Sequence, residues 1–457
     1  MAQGSKLIVV GLVGLTLAAI ALESTSTAGF GRRGRSVGGV MVDPSGFLRN
    51  ATVEETQELH NLARVALDRP RGDLAEAADL RMVSLRGLQQ AILQARREGR
   101  SLPDDVALLA GLQRVAYLFL DPDRQDVILA GPAEPWKLAD DGSIVGAASG
   151  GATLRLDDLV VALRSVENAR REGISCSIEP TAEGRRRLQK LLSGVQLRPG
   201  QNPALLEPAM REAFGPQQVI LTGVPHDSRY ALTMVAADYQ MKRIAMALHD
   251  PQVPGLPSYL AMARNVRHGG GENPRWWLAG DYDAVVRTAD GSAWQIRGPG
   301  VKVMTEQDLV SADGQVTESG RVSPTAARWA EKMTEHYGAL SKRMPVFQEL
   351  RNLMDLTLMA TLIRQEGLAE KVNLDLSLLL GESDTIELAS YPVPKAVAPE
   401  CSFVRTRGGV IATASGGVDI NAFQILRDQT SEDDAAAPLR QQALAAAQAG
   451  RWWWDHH

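Results

Sequence analysis

From Pro345 onward, Phe347, Leu350, Leu353, Met354, Met359 and Leu362 recur at helical spacing and make a wide apolar face. A helix of that kind has to be enclosed by other elements. Its most apolar stretch, Leu353–Ile363, is interrupted by Asp355 and falls short of the ~20 residues that cross a bilayer, so it reads as a core helix. Before it, Ser323 followed by Pro324 gives an N-cap and a first-turn proline, and Trp329, Met333 and Tyr337 lie on one side of the helix they open. Two long buried helices therefore anchor the expected fold.

What surrounds them is mixed. Helices are predicted over Val53–Leu67, where Thr52 and Glu55 resemble a capping box, and over Asp73–Arg97, with Leu80, Val83, Leu88, Ile92 and Leu93 as its stripe. Val115–Leu120 and Asp126–Ala130 read as strands around an Asp121-Pro122-Asp123 turn. A loop runs through Trp136 and Asp140-Asp141-Gly142 to a helix over Leu156–Arg171. Then come a strand at Cys176–Ile178, a helix from the Thr181 cap to Leu192, a helix over Pro203–Phe214 and a strand at Val219–Thr222. Arg275–Tyr282, Ala284–Thr288 and Ala293–Gly298 read as strands, the last two joined by the hairpin signal Asp290-Gly291, and Ile386–Leu426 as strands around paired glycines. The resulting class is α+β, or mixed α/β, with N-terminal helices, α/β units and a β-hairpin region. Val127–Pro132 echoes Val219–Pro225, either as a duplicated unit or as two buried strands that happen to end alike.

The chain has 457 residues, a net charge of −5 and only 5% aromatic residues, so its cores rest on aliphatic side chains and nothing general attracts nucleic acid. Lys6 precedes an apolar run, Leu7–Leu22, of signal-peptide length, and Ser26 and Ala28 supply the small residues before a cut after Ala28. The expected organisation is a signal peptide (1–28), a Gly/Arg linker (29–50), an N-terminal helical and α/β region (51–172), a larger α/β domain (173–427) and an acidic, Ala-rich tail (428–457). The expected location is the periplasm or cell envelope, soluble after cleavage and anchored if the leader is kept. Cys176 and Cys401 either form one disulfide or are two separate thiols.

Chemistry-bearing residues concentrate between Pro225 and Arg243. Asp238 and Lys242 form an acid-to-base i,i+4 pair if the segment is helical, either a salt bridge at a strand-to-helix junction or a catalytic pair. Asp227-Ser228-Arg229 is either turn chemistry or an anion contact through Arg229. Ala237-Asp238-Tyr239, then after one residue Met241-Lys242-Arg243, follows an apolar stretch read as a strand. With Arg275-Trp276-Trp277, Arg297–Val301, Glu335-His336-Tyr337, Pro345-Val346-Phe347 and Ser415–Val418, this segment resembles an uncharacterised family of exported proteins from planctomycete-type bacteria, domain of unknown function 1598. The resemblance spans loosely Cys176–Ile425. It implies export and a shared fold, and no reaction.

No metal spacing joins His226, His249, His268 and His336, and there is no nucleophile elbow, P-loop or dinucleotide fingerprint, so no cofactor is expected. Trp452-Trp453-Trp454 cannot share one face, which predicts exposed indoles or a docked partner, unless the tail folds back on its own domain. The functional expectation is a non-catalytic binding or scaffold role. The alternative is a hydrolase-type enzyme with its site around Asp227, Arg229, Asp238 and Lys242.

Overall fold

A computed structural model describes residues 36–456 apart from 195–202, 265–273, 311–315, 319, 383–385, 400–403, 407–408, 412–414 and 449. The expected signal peptide lies outside the described residues, as do Cys401 and His268. The described chain folds as α+β around two large sheets. The first runs in the order Ser36–Val37, Val40–Val42, Phe47–Asn50, Ala396–Val397, Gln217–Thr222, Ile174–Pro180, Ser415–Ile420, Pro274–Asp281, Gly300–Val310, Val316–Glu318. The second runs Thr430–Glu432, Ala284–Arg287, Ala293–Arg297, Tyr117–Asp121, Asp126–Ala133, Ala78–Ser84, Trp453–His456. Strands from three of the expected regions thus share the second sheet.

Helices fill the space between. The Pro345–Gln365 helix buries all but a few of its side chains, as its wide apolar face requires. It packs on the Leu156–Glu172 and Arg229–Ala245 helices, and the latter lies against strands Ile174–Pro180 and Ser415–Ile420 of the first sheet. Leu85–Arg97 packs on the second sheet, whose opposite face is covered by Ala436–Ala445. Asp355, the polar break in the long helix, is fully buried. It accepts from Arg114 at 3.2 and 3.3 Å and from the Tyr282 hydroxyl at 2.9 Å, tying the long helix to the segments that lead into strands Tyr117–Asp121 and Ala284–Arg287.

Several expectations are corrected. Asp73–Arg97 is not one helix. Ala78–Ser84 is a strand, and the helix begins at Leu85 with Ser84 as its N-cap. That strand is paired on both edges and nearly all its residues are buried, so apolar side chains on both faces imitate a helical stripe. The stretch before Ala-Asp-Tyr is also not a strand. Ser228 accepts from the Ala231 amide and starts a helix, Arg229–Ala245, in which all residues but Arg243 are buried. This, and not the 12-residue amphipathic helix Pro324–Glu335, is the second long core helix. Ser36–Asn50, assigned to linker and lead-in, forms three edge strands of the first sheet. The loop through Trp136 is a small hairpin, Trp136–Leu138 with Ile144–Gly146. Ala422–Gln429, inside the expected β region, is helical. The echoing segments lie in different sheets with different neighbours, consistent with coincidence.

The terminal indoles fold back onto their own chain. Trp453–His456 pairs with Ala78–Ser84, and strand alternation sends Trp453 into the main core and Trp454 under the Ala436–Ala445 helix, 9% and 3% exposed. The Trp454 indole donates to the Ala443 carbonyl at 2.8 Å. Arg81, fully buried, donates to both carboxylate oxygens of Asp455 at 2.6 and 2.8 Å and to the Ala110 carbonyl, with its guanidinium over the Trp453 ring. Asp455→Ala leaves that buried cation without its carboxylate and is expected to cost about 3–5 kcal/mol in urea unfolding. A loss under 1 kcal/mol contradicts this account of how the strand is held.

Candidate functional site

The Arg229–Ala245 helix carries three of the four candidate residues, and helical geometry separates them into two clusters. Arg229 opens the helix; Asp238 lies nine residues further, about 13 Å along the axis. The four do not converge on one centre.

At the helix start, Arg229 donates from Nη1 to Asp158 Oδ2 at 2.8 Å and from Nη2 to Glu349 Oε1 at 2.5 Å. Asp158 sits in the first turn of Leu156–Glu172 and Glu349 early in Pro345–Gln365, so the starts of three buried helices meet at one guanidinium. The positive ends of those helices favour the carboxylates there. Burial alone would lower the Arg229 pKa, but Glu349 and Asp158 outweigh it and hold the group above its usual value. Burial raises Asp158 despite Arg229 and Arg155. Asp157 is raised to about 7, by burial first and then by the charge of Asp158. Asp157 Oδ1, Asp158 Oδ1, Glu349 Oε2 and Arg155 Nε have no hydrogen-bond partner among the described residues.

Asp227 stands apart from this cluster. It is exposed, its side chain accepts from the Ser390 hydroxyl at 3.1 Å, and its carbonyl accepts from the Tyr391 amide.

Deeper along the helix, the Lys242 ammonium donates to Asp238 Oδ2 at 2.9 Å, to the Ile178 carbonyl at 2.8 Å and to the Gly416 carbonyl at 3.1 Å. Three acceptors match the three donors of an ammonium. Asp238 is wholly buried, and burial raises its pKa against the pull of Lys242. The pair is an i,i+4 ion pair in the C-terminal half of the helix, with Lys242 in its last turn, not at a strand-to-helix junction. It bolts the helix to two strands of the first sheet. Gly416 has to be glycine: φ is +140° and a Cβ there would lie 1.5 Å from the Trp276 carbonyl oxygen. Beside Lys242 is a cavity of about 20 Å³ lined in part by Gln217, Tyr239 and Val397, room for one water.

Cys176 is buried in the strand facing this helix, and burial pushes its thiol well up, the reverse of a reactive thiolate. Among the described residues no group of three or more His, Cys, Asp or Glu side chains could hold a metal, and no helix is long and apolar enough to cross a membrane. The sequence reading missed Asp157, Asp158, Glu349 and Arg155. Acidic residues in a helix first turn were the available signal for two of them, and nothing local marked Glu349 as the partner of Arg229.

Residues 176–259 match the model of a family described as a protein of unknown function (DUF1598), so the resemblance carried by Ala236–Arg243 holds over this segment. No curated protein and no solved structure matches the chain. The matched segment contains Arg229 and the Asp238–Lys242 clamp, together with the strand whose Ile178 carbonyl Lys242 holds.

Two predictions follow from these geometries. Lys242→Met strands Asp238 in the core and is expected to cost about 3–5 kcal/mol, most of it recovered when Asp238→Leu is added. A double variant no more stable than the single one refutes the clamp. The raised pKa of Asp157 means the folded protein keeps a proton that the unfolded chain releases between about pH 4 and 7. That contribution therefore falls as pH rises through this window. Asp157→Asn should flatten the stability-versus-pH profile there and add up to about 4 kcal/mol above pH 7. An unchanged profile from urea melts removes Asp157 from the account.

Proposed function

We propose that this protein is a non-catalytic binding or scaffold component that works outside the cytoplasm. One observation carries the non-catalytic half. The buried charged side chains of the family-matched segment are spent on cross-links between core elements: Arg229 on two helices, Lys242 on Asp238 and two strand carbonyls. A lysine whose three donors are satisfied, and an arginine shared by two buried carboxylates, are poor places for substrate turnover and good ones for rigidity. The export half is supported by Lys6, the Leu7–Leu22 run and the small residues Ser26 and Ala28. Contact with a protein or envelope partner would then involve surface other than Trp453 and Trp454, which the core already occupies.

A hydrolase-type reading draws on one feature, the carboxyl of Asp157 held near neutrality beside Asp158 and Arg155, the kind of setting in which acid–base chemistry is found. It would place the reacting group at Asp157 and not at Asp227, Asp238 or Lys242.

Mass spectrometry of the native protein, fractionated by compartment, tests the proposal. The expected result is a mature N-terminus at Gly29 in an extracytoplasmic fraction, and an intact Met1 in the cytoplasm overturns the export half. A screen with chromogenic esters, phosphoesters, peptides and glycosides is expected to give no turnover above buffer. Turnover abolished by Asp157→Asn would establish the hydrolase instead.

A further inference from the structure

Away from both clusters, the helix Leu85–Arg97, the turn around Gln125 and the segment Asn373–Leu378 enclose a cleft of about 300 Å³, at the lower end of the size range of small-molecule sites. Its polar lining is unusual in kind. Four side chains are primary amides, Gln89, Gln90, Gln125 and Asn373, and the only charges are Arg86 and Asp375, one of each sign. Leu93, Leu374 and Leu378 supply apolar wall, and none of the lining residues is aromatic.

The walls are fixed before any ligand arrives. Gln89 is buried and donates from Nε2 to the Asp375 carbonyl at 2.8 Å, joining the helix to the facing segment. Arg86 donates to the Arg124 carbonyl at 2.8 Å and to Gln125 Oε1 at 3.0 Å. The Asp375 carboxylate accepts from the Ser377 amide at 2.8 Å, and that bond lowers its pKa. Gln90 and Asn373 are exposed, and no hydrogen bond of theirs crosses the cleft. The side chains left to be ordered on binding are those of Gln90 and Asn373.

The chemistry of this lining selects a ligand class. A primary amide offers two donors and an acceptor, which suits neighbouring hydroxyl groups that need both. An anionic ligand would meet one guanidinium already engaged twice and would face the Asp375 carboxylate; a cation would face Arg86. The leucines suit the C–H face of a ring. We propose that this cleft binds a neutral, hydroxyl-rich small molecule, a saccharide of one or two rings, held by the amides of Gln90, Gln125 and Asn373. This deepens the binding half of the function proposed above and does not depend on export.

Ligand-observed NMR titration of the full chain tests it, with neutral mono- and disaccharides, the matching uronic acids and amino sugars, and free amino acids as probes. The variant is Gln90→Ala with Asn373→Gly. Both positions are exposed, and glycine accepts the left-handed φ of +54° at residue 373. An unchanged melting temperature shows that the variant is folded. A neutral saccharide is expected to saturate in the millimolar range, insensitive to salt, and to bind about tenfold more weakly to the variant, the effect of losing two modest hydrogen bonds. Three results overturn the proposal: no neutral saccharide saturating below about 10 mM, tighter binding of the charged probes, or full binding by the variant. Any of them leaves the scaffold and export reading to the fractionation experiment, which does not involve the cleft.

Discussion

Everything between the two sheets depends on where three helices begin, and one guanidinium fixes that point. Arg229 is the first residue of its helix, where its own dipole disfavours a cation. It is held there because Asp158 and Glu349 arrive from two other helices and both accept its hydrogen bonds, with the buried Arg155 as a second cation beside them. Shift any of the three helices by a turn, about 5.4 Å, and a buried charge loses its partner. The aliphatic contacts along these helices carry no such directional demand. Leu, Val, Ala and Met packed against one another tolerate sliding far better than an arginine fork tolerates a missing carboxylate.

The same logic recurs at each boundary between layers. Lys242 joins the central helix to the first sheet, Asp355 joins the long helix through Arg114 and Tyr282 to the segments entering the second sheet, and Arg81 joins the terminal strand to the sheet it completes. Such pairs contribute little net stability, because desolvation offsets their attraction. Their use is in specifying one arrangement among several of similar burial. A chain with 5% aromatic residues has few large rings to key its layers together, and buried ions take over part of that task.

Local features were legible in the sequence where a local rule governs them. The Thr52/Glu55 capping box, the Ser323–Pro324 start and the Pro345 core helix form as read, and the Asp290-Gly291 hairpin forms with a four-residue loop in place of a two-residue one. Two of the failures share one cause, burial on both sides. Ala78–Ser84 and Arg229–Ala245 have apolar residues on every face, so neither a period of two nor one of 3.6 stands out, and each was assigned the other's conformation. At the candidate site, the i,i+4 spacing of Asp238 and Lys242 revealed their pairing. The partners of Arg229 are 71 and 120 residues away, and no pattern within one sequence encodes that distance.

The strand Trp453–His456 has a consequence for the order in which this molecule can be built. Arg81 and Asp455 are separated by 374 residues, and the edge that the terminal strand covers belongs to one of the earliest strands of the second sheet. As the chain emerges from the ribosome, Ala78–Ser84 waits with an open edge and an unpaired arginine until almost the whole described chain has been made. Closure at so large a sequence separation is slow and leaves a sticky edge exposed meanwhile. The final state of this sheet is therefore reached only after synthesis has passed residue 455.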